Sequence, residues 1–292
     1  MIEGIFVEGL LYGIMALGVF ITFRVLDFPD LTVDGSFPFG AALMAALVVA
    51  EVDPWIALVA AFLGGGLAGC VTAAIHTYLK VPNLLAGILT MTILWSINIR
   101  VLGNRANVSL AHQDTILGSV TDLLKNMNIS SEYSLLFFFT IVALVFKLLL
   151  DLFFRTDLGM TLGAMGNNPQ MVISTGVNPA TMKFIGLGLS NGLVAVAGAF
   201  ACQFQGFADV NLGQGIIIAG LASVMIGEFV LRSNRIWILT LRVLVGSIIF
   251  RGLMYIARYY GYDIGLLPTD QRLITGLLIV GALYGAQLSS RN

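Results

Sequence analysis

The sequence predicts an all-α polytopic membrane protein with about nine to ten transmembrane or broken helices, arranged as two inverted-topology halves. Three observations point there. The 292 residues are 58% hydrophobic and only 11% charged. Nine apolar stretches are long enough, or nearly so, to cross a bilayer, which takes about 20 apolar residues as a helix. A short motif also recurs at a spacing of 179 residues. Soluble globular chains carry about 25% charged residues, so this composition excludes a soluble enzyme, a nucleic-acid binder and a disordered protein. The net charge of −1 implies no polyanionic or polycationic partner.

Stretches free of Asp, Glu, Lys and Arg run 9–23, 35–50, 54–79, 81–99, 184–208, 210–227 and 273–290. Two more spans, about 134–154 and 236–258, carry internal charge. The stretches 35–50 and 216–231 are short for a full crossing and suit broken or re-entrant helices. The first stretch follows the acidic Met1-Ile2-Glu3 rather than a basic leader, so it reads as a retained helix. With the N-terminus outside and nine crossings, Arg24, Lys80, Arg155, Lys183, Arg232, Arg235 and Arg291 fall inside, and Arg105, Lys125, Arg258 and Arg272 fall outside. This seven-to-four bias gives N-out, C-in. Two long aqueous segments result, an external one at 103–133 and a cytoplasmic one at 155–183. The chain 1–292 is thus expected to be one membrane domain, with halves about 1–155 and 183–292 joined by the loop 155–183.

The recurring motif is Phe28-Pro29-Asp30-Leu31-Thr32-Val33 against Phe207-Ala208-Asp209-Val210-Asn211-Leu212, with Gly13 matching Gly192 and Ala16 matching Ala195 at the same offset. The layout puts one copy inside and the other outside, the relation of an inverted repeat around a central pathway. Two ordinary polar breaks between helices are the alternative. The first break holds Asp27, Asp30 and Asp34 with Pro29 and Gly35. Pro and Gly interrupt helices, and the freed backbone groups need water or protein partners. Calcium takes about six to eight oxygens, so a solvated, constrained break is expected here rather than a metal site.

In the cytoplasmic segment, Asn168 can cap a helix, Pro169 suits its first position, and Gly176 suits its end. The predicted helix is Asn168-Pro169-Gln170-Met171-Val172-Ile173-Ser174-Thr175-Gly176. Asn178-Pro179 repeats the start signal for the next span. Physics alone leaves two uses open: docking of the short apolar helix into a partner's groove, or packing against the chain's own helices.

Cys70 and Cys202 lie in apolar runs, and His76 and His112 stand apart from carboxylates, so neither a disulfide scaffold nor a metal centre is indicated. No phosphate-loop motif occurs. Lys147 with Asp151, and Glu228 with Arg232, are spaced to neutralise each other. Arg242 lies about 9 Å of helix rise inside its span, close enough to snorkel. Glu8 and Arg251 are open to pairing or to a pathway role. Gly65 and Gly69 suit close helix packing, within or between subunits.

The stretches Arg24–Pro38, Gly163–Gln170 through Asn178, and Leu189–Gly198 resemble the permease subunits of bacterial ABC importers of the branched-chain amino-acid and ribose type, and in particular the tryptophan/tyrosine transport subgroup. The resemblance covers essentially the whole chain, and the first stretch is the one specific to the subgroup. It implies a transport protein of the bacterial cytoplasmic membrane that is not itself an enzyme. It also implies a homodimer of this chain, two cytoplasmic ATPase subunits carrying ATP and Mg, and an external or periplasmic solute-binding protein. No cofactor is expected on the chain itself. Helix 168–176 then resembles the coupling helix that enters a groove on the ATPase. The family implies about ten segments, so a further broken helix is expected in 24–38 or 81–102. Candidate pathway residues are the polar groups in otherwise apolar helices, Asn98, Ser190, Asn191 and Gln203, with hydrogen bonding from helix to helix as the alternative use of each. Phe28, Phe207 and Asp209 belong with Asp27, Asp30 and Asp34 to the break motifs. The solute is expected to be an amino acid, in the subgroup an aromatic one. An ion-coupled secondary transporter is the competing class, with Glu8 as its candidate ion-relay residue.

Overall fold

The computed structural model describes residues 2–111, 113–126, 131–231 and 235–263, with Leu273, Thr275–Leu277, Val280 and Gly281 beyond them. Its main helices are α1 (Ile2–Phe20), α2 (Val33–Val49), α3 (Pro54–Tyr78), α4 (Asn83–Val101), α5 (Ile116–Asn126), α6 (Ser131–Phe154), α7 (Asp157–Asn167), α8 (Pro169–Ser174), α9 (Pro179–Gln205), α10 (Ile216–Val230) and α11 (Ile236–Asp263). A π-helical turn, Ile21–Val25, extends α1, and a 3₁₀ turn, Val210–Gly213, precedes α10. Seven helical segments are long and apolar enough to cross a membrane, and α2 is a shorter apolar helix. Eight of the nine predicted spans are thus helices. The ninth, 273–290, lies outside the described residues except at the positions named above, as do Arg232, Arg272 and Arg291.

Helix α9 is the axis of the molecule and the most buried span, followed by α1. Both are apolar on nearly all sides, as a helix must be when other helices rather than lipid surround it. Helix α1 runs antiparallel to α9: Gln205 Nε2 donates to Tyr12 Oη at 3.4 Å near one end, and Ser190 Oγ donates to the Gly18 carbonyl at 2.7 Å further along. Glycines permit the tightest contacts. A Cβ at Gly40 would strike the Ala195 carbonyl, and one at Gly69 the Leu187 carbonyl. Gly65 also abuts α9, so the Gly65/Gly69 face serves packing inside one chain. Without a hydrophobic drive between helices in lipid, close packing is what holds them together.

The helix ends sort onto two faces. His76, near the end of α3, meets Lys183 near the start of α9 at 2.8 Å, and Gly166 of α7 abuts Val25. These contacts, with α8, define one face. On the other, strand β1 (Asn107–Ser109) pairs antiparallel with β2 (Phe207–Asp209), with Asn107 opposite Asp209. Gln203 Oε1 accepts from Ile116 N at 2.9 Å, tying α5 to the top of α9.

The break after α1 differs from the expectation of a solvated segment. Asp27 and Pro29 are exposed, but Asp30 is only 2% exposed and Phe28 1%. The segment turns back into the molecule, so its polar groups are satisfied by protein rather than water. Nor do 24–38 or 81–102 hide a further spanning helix: α4 is continuous, and 26–32 is non-helical. Among the described residues, the additional helices are α5 and α7, each 11 residues and too short to span.

Candidate coupling and translocation sites

Helix α8 is built by its caps. Asn168 Oδ1 accepts from Met171 N at 3.2 Å, and Pro169 occupies the first turn, where its missing N–H costs nothing. Gly176, at φ +83°, turns the chain out in the left-handed region that favours glycine. Asn178 Oδ1 then accepts from Ala180 N at 2.9 Å to start α9. Val172 is buried against the protein, whereas Met171 is 60% and Ile173 54% exposed. Gln170, Ser174 and Thr175 are exposed as well. One apolar residue thus anchors α8, and two are presented outward beside polar ones.

The centre of the molecule holds a polar network. Asn191 is the thirteenth residue of the 27-residue α9. Its Nδ2 donates to Asp30 Oδ2 at 2.7 Å and to the Leu187 carbonyl at 3.0 Å, and its Oδ1 accepts from Ser36 Oγ at 2.6 Å. Asp30 Oδ1 accepts from Thr32 N at 2.9 Å. Thr32, Thr72 and Thr90 continue as a hydroxyl chain, with 2.7 and 2.9 Å between successive oxygens. Sequence reasoning picked out Asn191 and Asp30 separately and did not join them. It passed over the threonines because a lone Thr in an apolar helix carries little signal.

The two break motifs share a local geometry. Asp30 accepts from the backbone two residues on, and Asp209 Oδ1 accepts from Asn211 N at 2.7 Å, again two residues on. After each turn a short helix begins. Asp34, in the first turn of α2, reaches the start of α10: its carboxylate accepts from Gly215 N at 3.0 Å and Ile217 N at 2.9 Å. These N–H groups have no partner within their own helix, and a negative charge suits a helix N-terminus. Gly35 lets α2 lie against Met91 and Leu94 of α4.

Of the four pathway candidates, three are spent on packing. Ser190 bonds α1, Asn191 bonds the break, and Gln203 caps α5. Asn98 differs. Its Nδ2 donates to the Gly35 carbonyl at 3.3 Å, while its buried Oδ1 has no partner. Asn98 lines a cavity of about 510 Å³ between α2, α4 and the 210–215 turn, together with Asp34, Thr92, Trp95, Ser96 and Gln214. Helix α4 is the least buried of the seven spans, and Trp95 and Ile93 are about half exposed.

Among the described residues, three groups of charges within the spans are paired. Lys147 and Asp151 meet at 2.5 Å, as their spacing predicted. Glu8 and Arg251 form a pair at 3.5 Å, and the Arg251 guanidinium lies 3.4 Å from the Tyr12 ring centre. Glu228 was expected to pair with Arg232, which lies outside the described residues; it binds Arg24 at 2.8 Å and Arg242 at 2.7 Å. Arg242 therefore does not snorkel. A carboxylate from the neighbouring helix meets it, and its side chain is only 9% exposed. Among the described residues, no cluster of His, Cys, Asp and Glu could hold a metal ion.

Comparison with known proteins decides the family. Residues 1–283 match the family model for the permease component of the branched-chain amino acid transport system. The chain belongs to this permease family. The permease is 38% identical over 289 residues to a tyrosine transport system permease protein of Clostridioides difficile (strain R20291), covering 99% of this chain and 92% of that one. It is 30% identical over 265 residues to an uncharacterized protein of Rickettsia prowazekii (strain Madrid E), covering 91% and 90%. Among solved structures, the permease resembles PsaBC from Streptococcus pneumoniae in complex with Fab, with a TM-score of 0.56, 15% identity, and 99% and 94% of the two chains covered. It also resembles a metal-chelate type ABC transporter in an inward-facing conformation, with a TM-score of 0.52, 18% identity, and 98% and 86% covered. At these identities the structural likeness concerns the fold.

Proposed function

We propose that this permease is the membrane-spanning subunit of an ATP-driven importer for a small amino acid with an aromatic side chain. It works as a homodimer, with ATPase subunits on the α8 face and a solute-binding protein delivering cargo to the hairpin face. ATP and Mg are held by the ATPase, and the chain itself contributes no catalytic group. The α8 face is cytoplasmic and the N-terminus outside; with the stretch 273–290 counted as a ninth crossing, the C-terminus is inside.

The observation that carries this reading is α8 itself. A helix capped at its start and closed by a left-handed glycine, with Met171 and Ile173 outward, is a rigid apolar key. Through Val172, and through α7 packed on the turn after α1, motion of a docked partner is passed to the spans as rigid-body movement. Residues 155–183 therefore form the coupling loop between halves 1–155 and 183–292. The antiparallel course of α1 and α9, each followed by the same aspartate turn and a short helix, supports an inverted repeat. The aromatic cargo rests on the tyrosine transport permease as a relative. The cavity at Asn98, Trp95 and Thr92 offers an aromatic wall and polar groups on the least buried span, and we place the translocation pathway there.

One observation favours the competing reading of an ion-coupled carrier: Asp30 is a buried carboxylate at the level of mid-α9. Its oxygens are engaged by Asn191 and Thr32, as befits a structural tie between the break and α9. The test is transport in proteoliposomes. Uptake should require the ATPase, the binding protein and ATP, and Ile173→Asp should abolish ATPase association. Gradient-driven uptake by the permease alone, lost in Asp30→Asn, would establish the carrier reading instead.

A further inference from the structure

Arg24 and Arg242, both bound to Glu228, line a cleft that the transport reading leaves unused. The cleft has a volume of about 670 Å³ and lies between the ends of α1 and α6, helix α7 and the start of α11. Its lining combines Arg24, Arg242 and Asn167 with apolar Phe154, Ile236 and Leu239.

Among the described residues, the charges of this cluster are unbalanced. Both guanidiniums bind the same atom, Glu228 Oε1, at 2.8 and 2.7 Å, so one carboxylate faces two cations. Each guanidinium carries about five N–H donors, and a single carboxylate oxygen occupies only one from each. Arg242 is only 7% exposed, and its buried Nε has no partner. An anionic acceptor in the cleft meets guanidinium N–H donors of Arg24 and Arg242 that Glu228 leaves unused.

The surroundings say which kind of anion. Around the cleft, Leu152 is 66%, Met160 54% and Trp237 47% exposed. Continuing up α6, Leu144, Leu148 and Leu149 form an exposed apolar stripe. A basic pocket with an apolar floor that opens beside a lipid-facing helix matches a molecule with an anionic head and an apolar body. We propose that this cleft binds the phosphate of an anionic phospholipid, its acyl chains lying along the exposed side of α6. Because α7 forms one wall and leads directly into α8, a bound lipid braces the segment that presents α8.

The test titrates phosphatidylglycerol into the purified permease in non-ionic detergent and follows its melting temperature. Phosphatidylcholine and inorganic phosphate are the parallel probes. Phosphatidylglycerol should raise the melting temperature in a saturable way, and the other two should not. Arg24→Gln removes a side chain that is 59% exposed, so the core survives. It should weaken the midpoint roughly tenfold, the loss of one charge-assisted contact. Gly163→Leu keeps every charge but fills the cleft: a Cβ there meets only Val25 Cγ1 at 4.0 Å. It should abolish the shift. A shift reproduced by inorganic phosphate would replace the lipid with a free anion. An equal response to phosphatidylcholine, or midpoints unchanged in both variants, would overturn the site. Neither result bears on α8 docking, which is read separately by ATPase association.

Discussion

Asp34 does the work of a residue on another helix. It lies in α2, yet its carboxylate satisfies two backbone N–H groups at the start of α10. Removing it leaves those half-buried donors without their acceptor, at a cost of about 1–3 kcal/mol. Asp34→Ala should lower the melting temperature of the purified permease clearly, and Asp34→Asn, which keeps one acceptor, should lower it less. Equal stability of the two variants would remove Asp34 as a cap. Asn98 gives a complementary prediction. Its Oδ1 is unpaired, and the side chain lines the cavity beside Trp95. Asn98→Leu should cut transport about tenfold or more, through loss of hydrogen-bonding capacity and of cavity volume, while leaving ATPase association intact. Ser190, by contrast, ties α9 to the Gly18 carbonyl, so Ser190→Val should act on stability. Such a difference in role was illegible in the sequence. Ser190, Asn191, Gln203 and Asn98 look alike there, as polar residues in apolar helices, and only their partners across the chain distinguish them.

Helix α8 was legible because its signals are local. Asn168, Pro169, Gly176 and Asn178 set caps and stops within ten residues of one another, and the structure places each as its chemistry requires. What the sequence left open was the face presented, which burial of Val172 with exposure of Met171 and Ile173 resolves. Asn168→Ala should cost about 1 kcal/mol of local helix stability. It should weaken ATPase association partially, where Ile173→Asp eliminates it, as read by co-purification. Equal effects would mean that the cap, not the apolar face, determines docking. The break after α1 was harder to read. Proline and three aspartates suggested contact with water, yet Asp30 is buried. Its partner Asn191 stands 161 positions away, a distance no local pattern reports.

At the scale of the whole molecule, hydropathy alone located eight helices, because each span must be apolar over its full length whatever it packs against. The 179-residue motif anticipated the paired aspartate turns, although four identities carry little information. Helices α5 and α7 escaped notice, since 11-residue amphipathic helices at the membrane faces leave no apolar run. Packing around α9 was hinted at by the glycines, but which pairs touch depends on the fold. Gly40→Leu would drive a side chain into the Ala195 backbone and should prevent assembly of α2 on α9, seen as loss of folded protein in detergent. Coupling through α8 requires a partner beyond this chain, and the composition of the purified complex measures it most directly. The permease is extracted in mild detergent from its own host's membranes, and its companions are identified by mass spectrometry. A stoichiometric ATPase bearing a phosphate-loop sequence is expected, retained by the native chain and lost on Ile173→Asp. A stable permease found alone, with no ATPase even after cross-linking, would contradict coupling through α8.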